Sequence, residues 1–214
     1  MICAGYSVID ETLLKNPAII VFYGVAGSGK TNLLFQILRC SSRKDKKGIY
    51  VSTEGSIYRT LVEKWFNDLK NVLFTEAITE DDLIKVINIL TTLKYRLNFV
   101  AIDTINMFYR LLSIDDISYA LRFLSFIMAQ LRYLANNGTY VLLAAQIREI
   151  DEEEIAGIKA INFWSDFLVK VDVKKNEAKR SITAELDNAN LIVYFKITGK
   201  GIEWINHELI KRSD

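Results

Sequence analysis

Residues 24–31 read Gly-Val-Ala-Gly-Ser-Gly-Lys-Thr and fit the pattern G-x-x-x-x-G-K-[ST] at every position. No other stretch narrows the fold so far, because this loop must leave a buried strand and open a helix. Both flanks are present. Residues 18–23 (AIIVFY) form a short apolar run entered through Asn16 and Pro17, and residues 30–40 place Leu33, Leu34, Ile37 and Leu38 on one helical face. The glycines let the backbone curl so that successive N–H groups face phosphate oxygens. The helix N-terminus adds partial positive charge, Lys30 a mobile cation and Thr31 a hydroxyl for Mg²⁺. Gly24, Val25, Ala26, Gly27, Ser28, Gly29, Lys30, Thr31 and Asn32 are therefore the expected nucleotide-binding residues. A chance glycine turn is the bland alternative, and it would have to reproduce motif and context together.

The remaining elements define an α/β class. Apolar runs at 49–53, 72–75, 98–102 and 139–147 alternate with helical patterns at 57–69, about 80–93, and a long stretch after residue 116 that closes at Asn136-Asn137-Gly138. Thr79-Glu80-Asp81-Asp82 and Ser113-Ile114-Asp115-Asp116 both carry the S/T-x-x-D/E spacing of a helix N-terminus. Strands that are apolar on both faces and alternate with helices predict a mainly parallel sheet covered on both sides. From residue 166 the pattern changes to alternating apolar and polar residues at 166–173, 178–187 and 190–198. That predicts an antiparallel extension over about 166–205, with 202–205 as its last edge. Residues 1–214 are expected to form a single domain.

Three polar residues terminate strands. Asp103 closes NFVAID and is the expected acidic partner of a magnesium ion at the P-loop, although a loop or capping Asp is the plainer alternative. Glu54 follows the strand of YVSTEG and would orient and deprotonate an attacking water; alone, it would read as a solvated turn residue. Gln146 ends the run LLAAQ and would sense the γ-phosphate, or simply cap a strand end. Two further strands lie between the P-loop and Asp103, a spacing unlike that of the simpler nucleotide kinases.

The ordered set GVAGSGKT, YVSTEGS, NFVAIDT and LLAAQ resembles the ATPase core of the RecA/RadA recombinase family, and FKITGKGI at 195–202 resembles the end of that core in archaeal RadA. The resemblance spans about residues 5–205 and implies a RecA-like P-loop fold, ATP and Mg²⁺ as cofactors, and a slow ATPase. It implies that Glu54 activates water, that Thr31 and Asp103 hold magnesium, and that Gln146 couples nucleotide state to a DNA-binding loop. It puts Tyr58 or Arg59 against adenine and Arg110 loosely at a DNA-contact position. A recombinase or another RecA-family protein is the implied partner, with single-stranded DNA and a homo-oligomer as further partners, since nucleotide sites in this family lie between subunits.

The departures limit the inference. The chain opens almost at the core, so the helical N-terminal DNA-binding domain of RadA is expected to be missing, and no F-x-x-A polymerisation motif precedes the core. The segment after Gln146 (IREIDEEEIAGIKAINFW) is acidic where a recombinase meets DNA, and Asp151 to Glu154 would repel phosphates. A RadA paralogue of the RadB or RadC kind is the expectation, serving recombination and DNA repair. The alternative is a KaiC-like regulatory ATPase that works through protein partners without DNA; a small-molecule kinase would want a basic lid instead.

Composition agrees. The 27 Lys plus Arg against 26 Asp plus Glu exclude a strongly basic DNA binder but leave local patches open. Lys174, Lys175, Lys179 and Arg180 form one such patch, facing DNA, a neighbour's nucleotide or only solvent. Arg43 to Lys47 is expected to be a solvated turn, and His207, alone in a polar tail, is no metal ligand. Cys3 and Cys40 are expected to be buried, reduced thiols, which favours the cytoplasm. The N-terminus lacks a signal-peptide pattern, and residues 117–135 are too interrupted by Arg122, Gln130 and Arg132 to span a membrane.

Overall fold

A computed structural model of the chain describes residues 1–93, 96–148, 154–173, 179–186 and 189–211. Helix α1 (Ser7–Thr12) precedes strand β1 (Ile19–Gly24) and helix α2 (Lys30–Arg43). Strand β2 (Gly48–Ser52), helix α3 (Arg59–Lys64), strand β3 (Val72–Glu76) and helix α4 (Glu80–Leu93) follow. Next come β4 (Phe99–Asp103), α5 (Met107–Leu112), α6 (Ile117–Asn136), β5 (Tyr140–Arg148), the two-residue strand β6 (Glu154–Ile155) and α7 (Ile158–Trp164). The chain closes on β7 (Phe167–Val173), β8 (Lys179–Leu186), β9 (Ala189–Thr198) and β10 (Gly201–Lys211).

The strands join one sheet in the order β10-β9-β8-β7-β1-β5-β4-β2-β3, with β6 paired to β5. From β7 to β3 all neighbours are parallel; β8, β9 and β10 are antiparallel. The expected α/β architecture holds. The alternation within β1 shows why its sequence is apolar throughout: Ile20 and Phe22 join the core beneath α1 and α2, while Ile19 and Val21 join the core beneath α4 to α7. The same period of two divides β4 and β5 between the two faces.

Several local expectations need correction. The 166–173 run is not part of a purely antiparallel meander, because β7 pairs parallel with β1 and only then antiparallel with β8. The last strand reaches Lys211 instead of residue 205. The helix expected over 57–69 is split into a 3-10 turn (Ser56–Tyr58), α3 and a second 3-10 turn (Phe66–Asp68). It breaks at Trp65, which is buried beneath the Arg39 guanidinium, 4.4 Å from the ring centroid. Packing of Trp65 and Leu69 against α2 outweighs helical continuity. The segment after Asp103 contains α5, and α6 is capped by Asp116, whose carboxylate accepts from the Ser118 and Tyr119 N–H groups. Ser113 instead closes α5. The Thr79 capping box is as expected: Thr79 Oγ1 accepts from Asp82 N, and Asp82 returns the bond to Thr79 N.

Cys3 and Cys40 form a disulfide, with Cα atoms 5.5 Å apart, so the expectation of reduced thiols fails together with the argument for a reducing compartment. The N-terminal segment turns back along α2, with Cys3 N donating to Ser41 Oγ, and this contact is invisible in the spacing. His207 also has a partner, with Tyr6 Oη 3.0 Å from its Nδ1. Among the described residues no helix is long and apolar enough to cross a membrane.

Candidate functional site

Strand register brings the candidate residues to one rim. Gly24, where β1 ends, lies level with Gln146 on β5, and Asp103 on β4 lies level with Ala144 on β5 and Ser52 on β2. The carboxyl ends of β1, β5, β4 and β2 thus meet at one cavity of about 180 Å³, lined by Ala26, Gly27, Gly29 to Asn32, Glu54, Asp103, Thr104 and Gln146. Gly24, Val25 and Ser28 belong to the loop without lining the cavity.

The loop requires its glycines. A Cβ on Gly24 would lie 2.3 Å from the Val171 carbonyl of β7, and Gly29 has φ +109°, which favours glycine. Lys30 is only 7% exposed, and its ammonium donates to the Gly24 and Val25 carbonyls at 2.9 and 2.8 Å. Burial pulls its pKa down, while the Asp103 and Glu54 carboxylates pull it up. The ammonium therefore bridges the mouth of its own loop, bonded only to neutral acceptors that a phosphate would displace.

Asp103 is 4% exposed and holds two donors on one oxygen: Thr31 Oγ1 at 2.7 Å and Tyr50 Oη at 2.9 Å. Burial raises its pKa, and the two hydroxyl bonds oppose that rise. Burial and the adjacent carboxylate drive the Tyr50 hydroxyl far above its usual range, so it remains a donor. A hydroxyl and a carboxylate in direct contact beside a phosphate loop fit a hard cation such as Mg²⁺, which takes few protein ligands and relies on substrate phosphates. No group of three or more His, Cys, Asp or Glu that could hold a metal occurs among the described residues, and magnesium of this kind needs none. Tyr50 was not among the sequence candidates. A buried Tyr signals that its hydroxyl has a partner, but the partner lies on another strand.

Glu54 sits across the cavity, with Oε1 accepting from Thr104 Oγ1 at 3.2 Å. Gln146 is fixed twice. Asn106 bonds both its backbone N–H and its carbonyl, at 3.1 and 2.8 Å, and the Arg110 guanidinium donates to its side-chain oxygen. Thr104 and Asn106 were missed because both act through long-range bonds.

Other candidates fall elsewhere. Tyr58 is 8% exposed, stacked on Phe74 and tilted against Tyr50, with its hydroxyl on Glu76. Its ring faces are committed to the core, so it is not placed to stack on adenine. Arg59 pairs with the same Glu76 at 2.9 Å, and neither residue lines the cavity. Arg110 is engaged with Gln146, and Lys179 lies 4.2 Å from the Tyr194 ring centroid. Arg180 lies against the P-loop, its Nε 3.5 Å from where a Gly29 Cβ would stand. Lys174, Lys175 and Asp151 to Glu153 lie outside the described residues, as does the side chain of Glu154.

Fold and motif together define a RecA-like P-loop core with an antiparallel C-terminal extension. Over nearly its whole length the chain is similar to proteins named DNA repair and recombination protein RadB. The one from Methanococcus maripaludis is 26% identical over 210 residues, covering 90% of this chain and 94% of that protein. The one from Methanosphaera stadtmanae is 26% identical over 216 residues, covering 92% and 93%. A crystal structure of the RadB recombinase matches with a TM-score of 0.74 at 20% identity, covering 96% of this chain and all of that one. No protein-family model matches the chain. The expected likeness to a RadA paralogue of the RadB kind is borne out by relatives and a solved structure that carry that name.

Proposed function

We propose that the chain binds ATP with Mg²⁺ in this cavity, hydrolyses it slowly, and serves homologous recombination and DNA repair in the cytoplasm as an accessory of a recombinase. The observation that carries the reading is the convergence of Lys30, Thr31, Asp103, Glu54 and Gln146 on one rim. Lys30 exchanges its carbonyl partners for the β- and γ-phosphates. Thr31 and Asp103 would hold magnesium, which when bound would neutralise charge on the phosphates. Glu54, steadied by Thr104, accepts a proton from a water aligned with the γ-phosphate. Gln146 passes the state of the site to Arg110 through their hydrogen bond. The names of the RadB relatives support the role in repair.

A second reading has one observation in its favour. Arg110 and Lys179, two basic side chains expected at DNA, are engaged within the fold. A regulatory ATPase acting through protein partners needs no free cation there. Phosphate release measured with and without single-stranded DNA, with no acceptor present, separates the readings. Turnover raised several-fold by DNA is expected for the recombination accessory. Turnover indifferent to DNA overturns direct DNA coupling and leaves the partner-driven switch.

A further inference from the structure

The cavity is short of positive charge. Among the described residues that line it, Lys30 is the sole cation, against the carboxylates of Glu54 and Asp103. A nucleoside polyphosphate would bring several negative charges into this space. Outside the lining, Arg110 is bonded to Gln146, and another cation stands against the loop itself. Arg180, the second residue of β8, runs its side chain across Gly29, with Cδ 3.3 Å and Nε 3.5 Å from the Gly29 Cβ position. Ile197 of β9 fills the rest of that surface at 2.9 Å, so Gly29 leaves open the space both side chains use. The Arg180 Nε is buried and has no hydrogen-bond partner among the described residues. A buried guanidinium N–H without an acceptor is costly, and the nearest structure built to attract an anion is the phosphate loop it touches.

We propose that Arg180 is a nucleotide-binding residue acting in cis, contacting the phosphate chain held by the P-loop of its own subunit. The contact rests on the reading of the cavity as a nucleotide site. It gives β8 a function other than DNA contact: the antiparallel extension supplies a cation to the phosphate loop. β7, the strand before β8, pairs with β1 at Tyr23↔Lys170, next to the start of the phosphate loop.

Displacement of a fluorescent ribose-labelled ADP from the full chain by ADP, AMP and adenosine tests this. Arg180→Gln is expected to weaken ADP on the order of tenfold, the size of one charge-assisted bond, with adenosine unchanged. Arg180→Lys should recover most of the loss, and an unchanged melting temperature for both variants separates the effect from misfolding. An equal loss for adenosine and ADP overturns a phosphate contact. Recovery of binding on mixing Arg180→Gln with Lys30→Ala chains overturns action in cis, since only a trans contact can be restored that way. Wild type that binds no nucleotide overturns the cavity reading and this contact together. Wild-type binding with an unaltered Arg180→Gln overturns the contact alone.

Discussion

Asp103 shows what a single buried carboxylate demands. It is nearly inaccessible, and burial raises its pKa, while the hydroxyl bonds from Thr31 and Tyr50 oppose that rise. Tyr50→Phe removes one of the two donors while keeping the ring, which also packs against Phe35 and Phe74. We expect a loss of about 1–2 kcal/mol in denaturant unfolding and a higher magnesium concentration for half-maximal nucleotide binding. Unchanged magnesium dependence would mean that Tyr50 is only a core residue. At this scale Lys30 and Thr31 were legible because the phosphate-loop motif fixes their spacing, and Asp103 because it closes an apolar strand; Thr31 and Asp103 are in direct contact. Tyr50, Thr104 and Asn106 were not, because each bonds across strands, and no local pattern encodes a partner on a distant strand.

Among the elements, α2 shows how a surface charge network fixes a junction. Asp68, in the 3-10 turn after Trp65, accepts from Arg39 at 3.1 and 2.9 Å and from Arg43 at 2.9 and 2.6 Å. The bond from Arg43, aided by Arg39, holds the Asp68 pKa below its usual value despite some burial. A carboxylate depressed in the folded state stabilises above its unfolded pKa, about 4, and loses that contribution as pH falls through the lower folded value. Asp68→Asn is therefore expected to cost about 1 kcal/mol at pH 7, a modest figure because Arg43 is largely exposed. The difference from wild type should begin to shrink as pH drops below about 4 and vanish below the depressed folded value; thermal melts across that range check it, and a difference constant with pH would contradict the ion pairs. Helix and strand types were legible from periodicity, including the breaks at Gly138 and the Thr79 box. The split at Trp65 was not, since tertiary packing overrode a continuous helical pattern.

For the molecule as a whole, the parallel sheet delivers β1, β5, β4 and β2 to one rim, and the extension folds back so that β8 and β9 reach Gly29. The alternation of apolar strands and helices made the sheet legible. Strand order and the Cys3–Cys40 link were not, because both depend on which distant segments meet. In the proposed function, this rim is a hydrolytic ATP site with Glu54 as its base. The most direct test pairs ATP binding with phosphate release for wild type and Glu54→Gln at saturating magnesium. Glu54→Gln is expected to bind ATP within about threefold of wild type and to lose at least tenfold in phosphate release, in the range of one positioned base. Full activity in Glu54→Gln would contradict it, as would a parallel loss of ATP binding.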